Sequence, residues 1–594
     1  MVRAGIFIGV DQTGELQKLN DAAAGAKRMH EWALRQGMAD KTHAKLITDA
    51  GGRKVRPDEI ADAIEEICNG AGVDQLIVYF AGHGINLQHS DRWLLSEAPV
   101  KTYAAVNVVG SVELARLCGI PHVVIISDAC RVAPEGIQNQ NVQGVEIFPN
   151  TSGGDKTKPV DQFVACYLGR TAAEVAATAD DAANYSALYT DALLDALSGT
   201  RTDVLEAGDS GDPALYVKPW RLQDYLEAEI PRRVVALKLQ KKVNQNPDAI
   251  ITSRTGWLAR IDRPPGATRS RSGPPTPTPG VPLAPQPAPP RTLRSVSRDL
   301  TSTASAGTPN TVAAALEQAA HSGIPGAQQF AESVERVARP FGPEHFETQC
   351  GIKVRGARVL EHIAPLANGE LFDNGSLLRI SSLDGPGVSV LLRTAHGTAC
   401  VVPVIQGFLS ALTFDQGDLV DVAFEPSDNT GRWADYKARA ADVRALRAIA
   451  SAASRHGRFH LDGRDAERVG QQMQYAKGID PALAVYAAYA YHDLQLVDRI
   501  ADMSGYLRSD VGVTFFDLEL LSRRLIDKAI ERTSMIVPFV PLLAQGWALL
   551  RAHRVKLRPT VDKIDGYVRD SLWTQFDARA MDALAQTMMT KEVR

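Results

Sequence analysis

Residues 75–84 read QLIVYFAGHG, and residues 122–131 read HVVIISDACR. Each stretch opens with an apolar run rich in β-branched residues, the composition of a strand buried in a parallel sheet. Each closes on a residue that can do chemistry, His83 in the first and Cys130 in the second. The glycines flanking His83 let the backbone turn sharply and let another molecule approach closely. α/β proteins place their sites at the carboxyl ends of such strands. A lone loop histidine is ordinarily a surface residue, so its meaning depends on a partner. Adjacent parallel strands lie about 4.8 Å apart, and side chains at their ends can meet across a substrate. A thiolate is a nucleophile, and a nearby imidazole can take its proton and later protonate a leaving amine.

Strands and helices alternate around these two stretches through residue 262. Residues 4–10 are an apolar strand. Residues 16–36 carry apolar residues at spacings of three and four, which predicts a helix. Residues 44–48 are a short strand, and Pro57 opens a helix with Ile60, Ile64 and Ile67 on its buried face. A helix near 111–117, a strand at 162–168 and a helix at 185–197 follow. This alternation predicts a mostly parallel sheet with helices on both faces.

Residues 263–310 break the pattern. From 264 to 290 the chain reads PPGATRSRSGPPTPTPGVPLAPQPAPP, which cannot pack a core and predicts an extended, disordered linker. Six arginines stud it: Arg263, Arg269, Arg271, Arg291, Arg294 and Arg298. Residues 311–432 read as a helix (311–338) followed by a small β-rich unit. Turn signals stand at Asn374-Gly375, Gly385-Pro386 and Gln416-Gly417. Residues 433–594 read as a helical domain, with a hint of solenoid-like helix pairs.

The 594 residues exceed what one core can hold. At 45% hydrophobic and 23% charged the composition is that of a soluble globular protein. A net charge of −4 gives no electrostatic argument for nucleic acid or an anionic membrane. The apolar run at 535–550 is shorter than a bilayer span and holds two prolines, so a buried helical hairpin is expected. The N-terminal apolar run is too short for a signal peptide and reads as a strand. Six cysteines without a CxxC pair imply reduced thiols in a cytoplasmic setting and no structural zinc. Cys68, Cys118 and Cys166 read as core residues, Cys350 and Cys400 lie outside any motif, and His89 reads as a surface loop residue. No metal-ligand spacing or phosphate-binding glycine loop is present, so no metal or cofactor is expected; the acidic, lysine-bearing stretch 155–161 leaves calcium binding conceivable, with nothing else in the sequence to support it.

The order of the two motifs is informative. His83 precedes Cys130 by 47 residues (130 − 83), close to the spacing in caspases. With the opening strand, LNDAAAGAKRM after it, FVACYLGRTAAEV and NYSALYTDALLDALSG, the first 262 residues resemble a caspase-fold cysteine peptidase, nearest to the bacterial metacaspase-like members. The resemblance implies an α/β caspase-like sandwich with a mostly parallel six-stranded sheet. It implies Cys130 as nucleophile, His83 as general acid/base, and the backbone amides of Gly84 and Cys130 as the oxyanion hole. Caspases carry glutamine where this chain has Asp128, and accept acidic P1 residues. Metacaspases carry aspartate there and accept arginine or lysine. A carboxylate pairs with a guanidinium and repels acids, so Asp128 implies an S1 pocket for protein substrates with a basic P1. Two departures stand out. Cys166-Tyr167-Leu168-Gly169 lacks the second S1 aspartate, for which Asp11 or Glu174 are candidates, and Arg131-Val132 replaces the usual His-Ser-Gly.

The reading is therefore a cysteine endopeptidase regulated or targeted by its C-terminal region, with the family's association with bacterial cell death or defence. Self-cleavage is expected in the 131–160 loop, which holds Lys156 and Lys158, or in the linker. The alternative is a non-enzymatic caspase-fold scaffold, which the presence of both Cys130 and His83 disfavours.

Overall fold

The computed structural model describes residues 1–594 apart from 39–42, 71, 88–89, 132–140, 151–156, 166–178, 209–211, 237–246, 263–292, 307–308, 325, 341–349, 456, 462–464 and 529. His89, Cys166, Glu174, Lys156, half of the 131–160 loop and the proline-rich stretch lie outside the described residues.

The N-terminal part is built on strands β1 (Val2–Gly9), β2 (Ala44–Thr48), β3 (Val73–Leu87), β4 (Ser90–Leu94), β5 (Ala105–Asn107), β6 (His122–Arg131), β7 (Val160–Val164), β8 (Leu205–Ala207), β9 (Leu215–Val217), β10 (Asp248–Ile250) and β11 (Ala259–Ile261). The main sheet runs β10-β7-β6-β3-β1-β2. Every pairing along it is parallel except β10 with β7. This is the mostly parallel sheet expected from the alternation, with the six strands that the resemblance implies, extended by the antiparallel pair β4 and β5 beside the end of β3. β11, β9 and β8 make a small separate sheet.

Helices cover both faces because the strand residues alternate. Ile77, Tyr79, Val124 and Ile126 face α1 (Ala22–Arg35), α4 (Ala179–Leu197) and α5 (Pro219–Ala236). Leu76, Val78, Val123 and Ile125 face α2 (Pro57–Asn69) and α3 (Val108–Ala115). A row of buried polar side chains crosses the amino-terminal ends of four strands. Arg3 Nε donates to Gln75 Oε1 at 2.7 Å, and Gln75 Nε2 donates to His122 Nδ1 at 2.9 Å. His122 Nε2 then donates to Asp161 Oδ2 at 2.8 Å, and the other oxygen of Asp161 accepts from the amides of Thr252 and Ser253. Each member satisfies the next, as burial requires.

Several boundaries differ from the sequence reading. α1 starts at Ala22 rather than at residue 16, because residues 16–21 are tied into a turn whose Leu19 amide donates to the Asp11 carbonyl. β3 does not stop at Phe80. It runs through Gly82, His83 and Gly84 to Leu87 and pairs with β4, so His83 sits in a strand and not in a loop. Gly82 is there for room rather than for a turn: a Cβ would lie 2.7 Å from the Phe80 ring.

Residues 293–594 form one further core, in which the β-rich and helical stretches pack together. The boundary expected at 432/433 therefore separates no cores. One sheet contains Gly351–Arg355 between Leu377–Leu383 and Phe408–Asp415; the other ends on Phe576–Asp577, supplied from near the C-terminus. The three turns expected from sequence are present, with positive φ at Asn374, Gly375, Gly385, Gln416 and Gly417. The expected long helix is two, Pro309–Ala320 and Ala327–Ala338, interrupted around Gly323. The supposed disordered linker ends earlier than residue 310. Leu293–Ala306 is helical, because Val296 and Leu300, one turn apart, bury against this core. Residues 535–550 form no helical hairpin; they run irregularly through the core until the helix Trp547–Ala552 begins. Among the described residues no helix is long and apolar enough to cross a membrane.

Arg447, 4% exposed, joins sheet to helices in this core. Its Nε donates to Asp480 Oδ2 at 2.7 Å, one Nη lies 3.5 Å from Glu425 Oε1, and the other donates to the Phe424 carbonyl. Removing one partner of a buried ion pair leaves the rest uncompensated. Arg447→Ala should destabilise this half by about 3–5 kcal/mol, read as a fall in the urea midpoint of the full chain. A loss below about 1 kcal/mol would show that the cluster is hydrated rather than sealed.

Candidate functional site

The site is set by strand register. β3 and β6 pair in parallel from Gln75↔His122 up to Gly84↔Arg131, and on that ladder His83 is the partner of Cys130. The neighbouring strands stop earlier. β1 pairs with β3 only as far as Ala81, and β7 pairs with β6 only as far as Ser127. His83 and Cys130 thus stand on a two-stranded ledge at the carboxyl end of the sheet, beyond its neighbours. Gly84 lies on the same ledge, between Arg131 of β6 and Trp93 of β4. Trp93 anchors that edge: it stacks on Phe80 with centroids 4.7 Å apart, and its indole donates to Ser127 Oγ at 2.8 Å. The side chains of 130 and 131 lie outside the described residues.

His83 is buried, and its Nε2 lies 2.8 Å from the Gln17 carbonyl oxygen. A carbonyl can only accept, so Nε2 carries the proton and Nδ1 is the basic nitrogen of the neutral ring. The loop bearing Gln17 is pinned in turn. The carboxylate of Asp49 accepts from the Asp11 and Gln12 amides, and that of Asp11 accepts from the Ala23 amide at the start of α1. Asp11, a candidate second S1 acid, is thus engaged in holding this loop. Sequence reading missed Gln17 because a backbone carbonyl leaves no mark on residue type. Burial pushes the His83 imidazole below its ordinary 6.5, and the hydrogen bond to Gln17 works in the opposite direction.

Asp128 pairs with Ala81 on the same ladder, two residues before Cys130. Its carboxyl is 2% exposed and faces the hydroxyls of Tyr79 and Thr190, both of which donate to Oδ2. Burial raises it to about 7, with the two hydroxyls pulling the other way. Arg28, the cation that also lowers it, is paired with Asp191. Among the described residues Asp128 therefore meets hydroxyls and no contacting cation.

Two titrations follow. A ring held neutral below 6.5 gives stability that is complete above pH 6.5 and is lost as pH falls toward its folded value. NMR of labelled histidine in Cys130→Ala should place the His83 midpoint below 6.5, identified by its loss in His83→Asn. Asp128 has the opposite sign. Between about pH 4 and 7 the folded chain holds a proton that the unfolded chain has released, so stability falls as pH rises across that window. Asp128→Asn should flatten this slope in urea unfolding. An unchanged slope would show that the Asp128 carboxyl is not raised.

Residues 6–210 match the family model described as the caspase domain. None of the curated proteins matches the chain. A crystal structure of a protein from Geobacter sulfurreducens is 12% identical, covering 44% of this chain and 95% of its own, with a TM-score of 0.24, too low to bear on the fold. The sheet order, the helices on its two faces and the family match agree: this chain carries a caspase domain over residues 6–210.

Proposed function

We propose that the chain is a cysteine endopeptidase of the caspase-like class that cleaves after arginine or lysine. The observation that carries this reading is the pairing of His83 with Cys130 on adjacent parallel strands, with the Gln17 carbonyl fixing the His83 tautomer. Cys130 Sγ gives its proton to His83 Nδ1 and attacks the scissile carbonyl. The amides of Gly84 and Cys130 hold the oxyanion. His83 then protonates the leaving amine, and water hydrolyses the thioester with His83 as base. The basic P1 preference rests on Asp128. A carboxyl raised to about 7 with no cation against it is the state expected of a pocket floor that awaits a guanidinium. Self-cleavage in the 131–160 loop or the proline-rich stretch, regulation by the C-terminal region, a cytoplasmic location and a role in bacterial cell death or defence belong to the same proposal.

The test compares the full chain with Cys130→Ala and Asp128→Asn on fluorogenic peptides ending in Arg, Lys or Asp. Arg and Lys peptides should turn over with the unmodified chain and not with Cys130→Ala. Asp128→Asn should lower kcat/KM for the Arg peptide by roughly 100-fold, the loss of one buried charged partner. Turnover of Asp peptides alone would overturn the role given to Asp128. Equal, absent turnover with the unmodified chain and Cys130→Ala would favour a non-enzymatic scaffold.

A further inference from the structure

The caspase domain meets the C-terminal half along α3. The helix Trp547–Ala552 packs against it, and elsewhere between the two halves Arg254 pairs with Glu467 at 2.7 Å. At the centre of this contact three buried side chains converge: Glu113 from α3, His492 from the helix Ala482–Asp493, and His553 just past Trp547–Ala552. They are separated by up to 440 residues in sequence. Both His492 Nε2 and His553 Nε2 lie 3.2 Å from the same oxygen, Glu113 Oε2, and the three atoms are within 4.8 Å of one another.

Proton accounting makes this arrangement informative. His553 Nδ1 lies 3.1 Å from the Leu520 carbonyl oxygen, which can only accept, so Nδ1 carries the hydrogen. In the neutral ring, Nε2 then points a lone pair at a carboxylate oxygen. That contact is favourable only with a cation between or on the two atoms. His492 directs its own Nε2 at the same oxygen. Two ring nitrogens from distant parts of the chain thus converge on one carboxylate oxygen, while buried Arg116 holds the other, its Nε donating to Glu113 Oε1 at 3.2 Å. One divalent ion placed among the three atoms would engage both nitrogens and the oxygen at once. Zinc binds histidine nitrogen and carboxylate oxygen at about 2.0–2.2 Å, so ligands at two corners of its tetrahedron lie about 3.3–3.5 Å apart. The observed 3.2 Å is near that edge. The Leu520 carbonyl behind His553, and Arg116 on the second Glu113 oxygen, are the outer partners that orient such ligands. A cavity lined by Glu113, His492, Asp493, Tyr489 and Gln162 adjoins the group and has room for a water as fourth ligand.

We propose that Glu113, His492 and His553 bind one divalent cation of the zinc class, which clamps the C-terminal half onto the caspase domain. No short-range sequence motif announces it, because each ligand comes from a different part of the chain.

The test uses full-length Cys130→Ala, which removes the proposed nucleophilic thiol as a competing ligand. The protein is stripped with chelator, loaded with zinc or cobalt, passed through gel filtration and assayed for metal. One zinc per chain should be retained, and the thermal midpoint should rise on loading. The cobalt form should show the visible bands of a tetrahedral site without thiolate charge-transfer absorption. His492→Gln and His553→Gln should each weaken retention by roughly 100-fold or more, since even outer partners are worth 10–100-fold. No retained metal in the folded parent overturns the proposal, as does unchanged retention in both variants. If the variants fail to fold, the cobalt spectrum of the parent decides: thiolate charge transfer would place the ion on Cys68 and Cys118 or elsewhere and overturn it.

Discussion

Everything at the candidate site depends on how β3 lies against β6. Side chains in a strand alternate with a period of two, so a slip of one residue would send His83 and Cys130 to opposite faces of the sheet. The ladder from Gln75↔His122 to Gly84↔Arg131 leaves no such freedom. It is held along its length by apolar residues that face two different sets of helices, and each set accepts only one parity. The chemistry needs two atoms at one edge; the core beneath them supplies the alignment.

The same ledge explains why its residues have such uneven surroundings. His83 is buried yet lies where the strands on either side have ended, and it is oriented by a backbone carbonyl from a loop that two aspartates tie down. Asp128, two residues below Cys130, is already within the core between sheet and α4. Over one turn of the pleat the environment changes from sheet edge to interior. A carboxyl and an imidazole placed so close together can therefore have their protonation pushed in opposite directions by the same cause, burial.

Much of the caspase domain was legible in the sequence because its signals are local. β-Branched runs mark β1, β3 and β6, and Pro57 with Ile60, Ile64 and Ile67 marks α2. What was misread depended on contacts distant in sequence. Gly82 and Gly84 read as a turn but belong to a strand, because β6 and β4 pair with them on either side. The helix Leu293–Ala306 looked like more of a proline-rich tail until Val296 and Leu300 found a core to enter. The Gln17 carbonyl and the Glu113–His492–His553 group left no trace at all, since neither a backbone oxygen nor ligands hundreds of residues apart make a motif.

The row Arg3–Gln75–His122–Asp161 gives the sheet two unequal ends. At one hem four strands are stitched side by side through buried groups that also bind the backbone around Trp257, Leu258 and Thr252, and this hem acts as the datum from which every residue farther up is measured. Among the described residues the opposite hem carries no comparable seam. Loops there can lengthen, be cut or change shape while the strands keep their count, so this architecture can host new specificities at its upper rim without relearning how to fold.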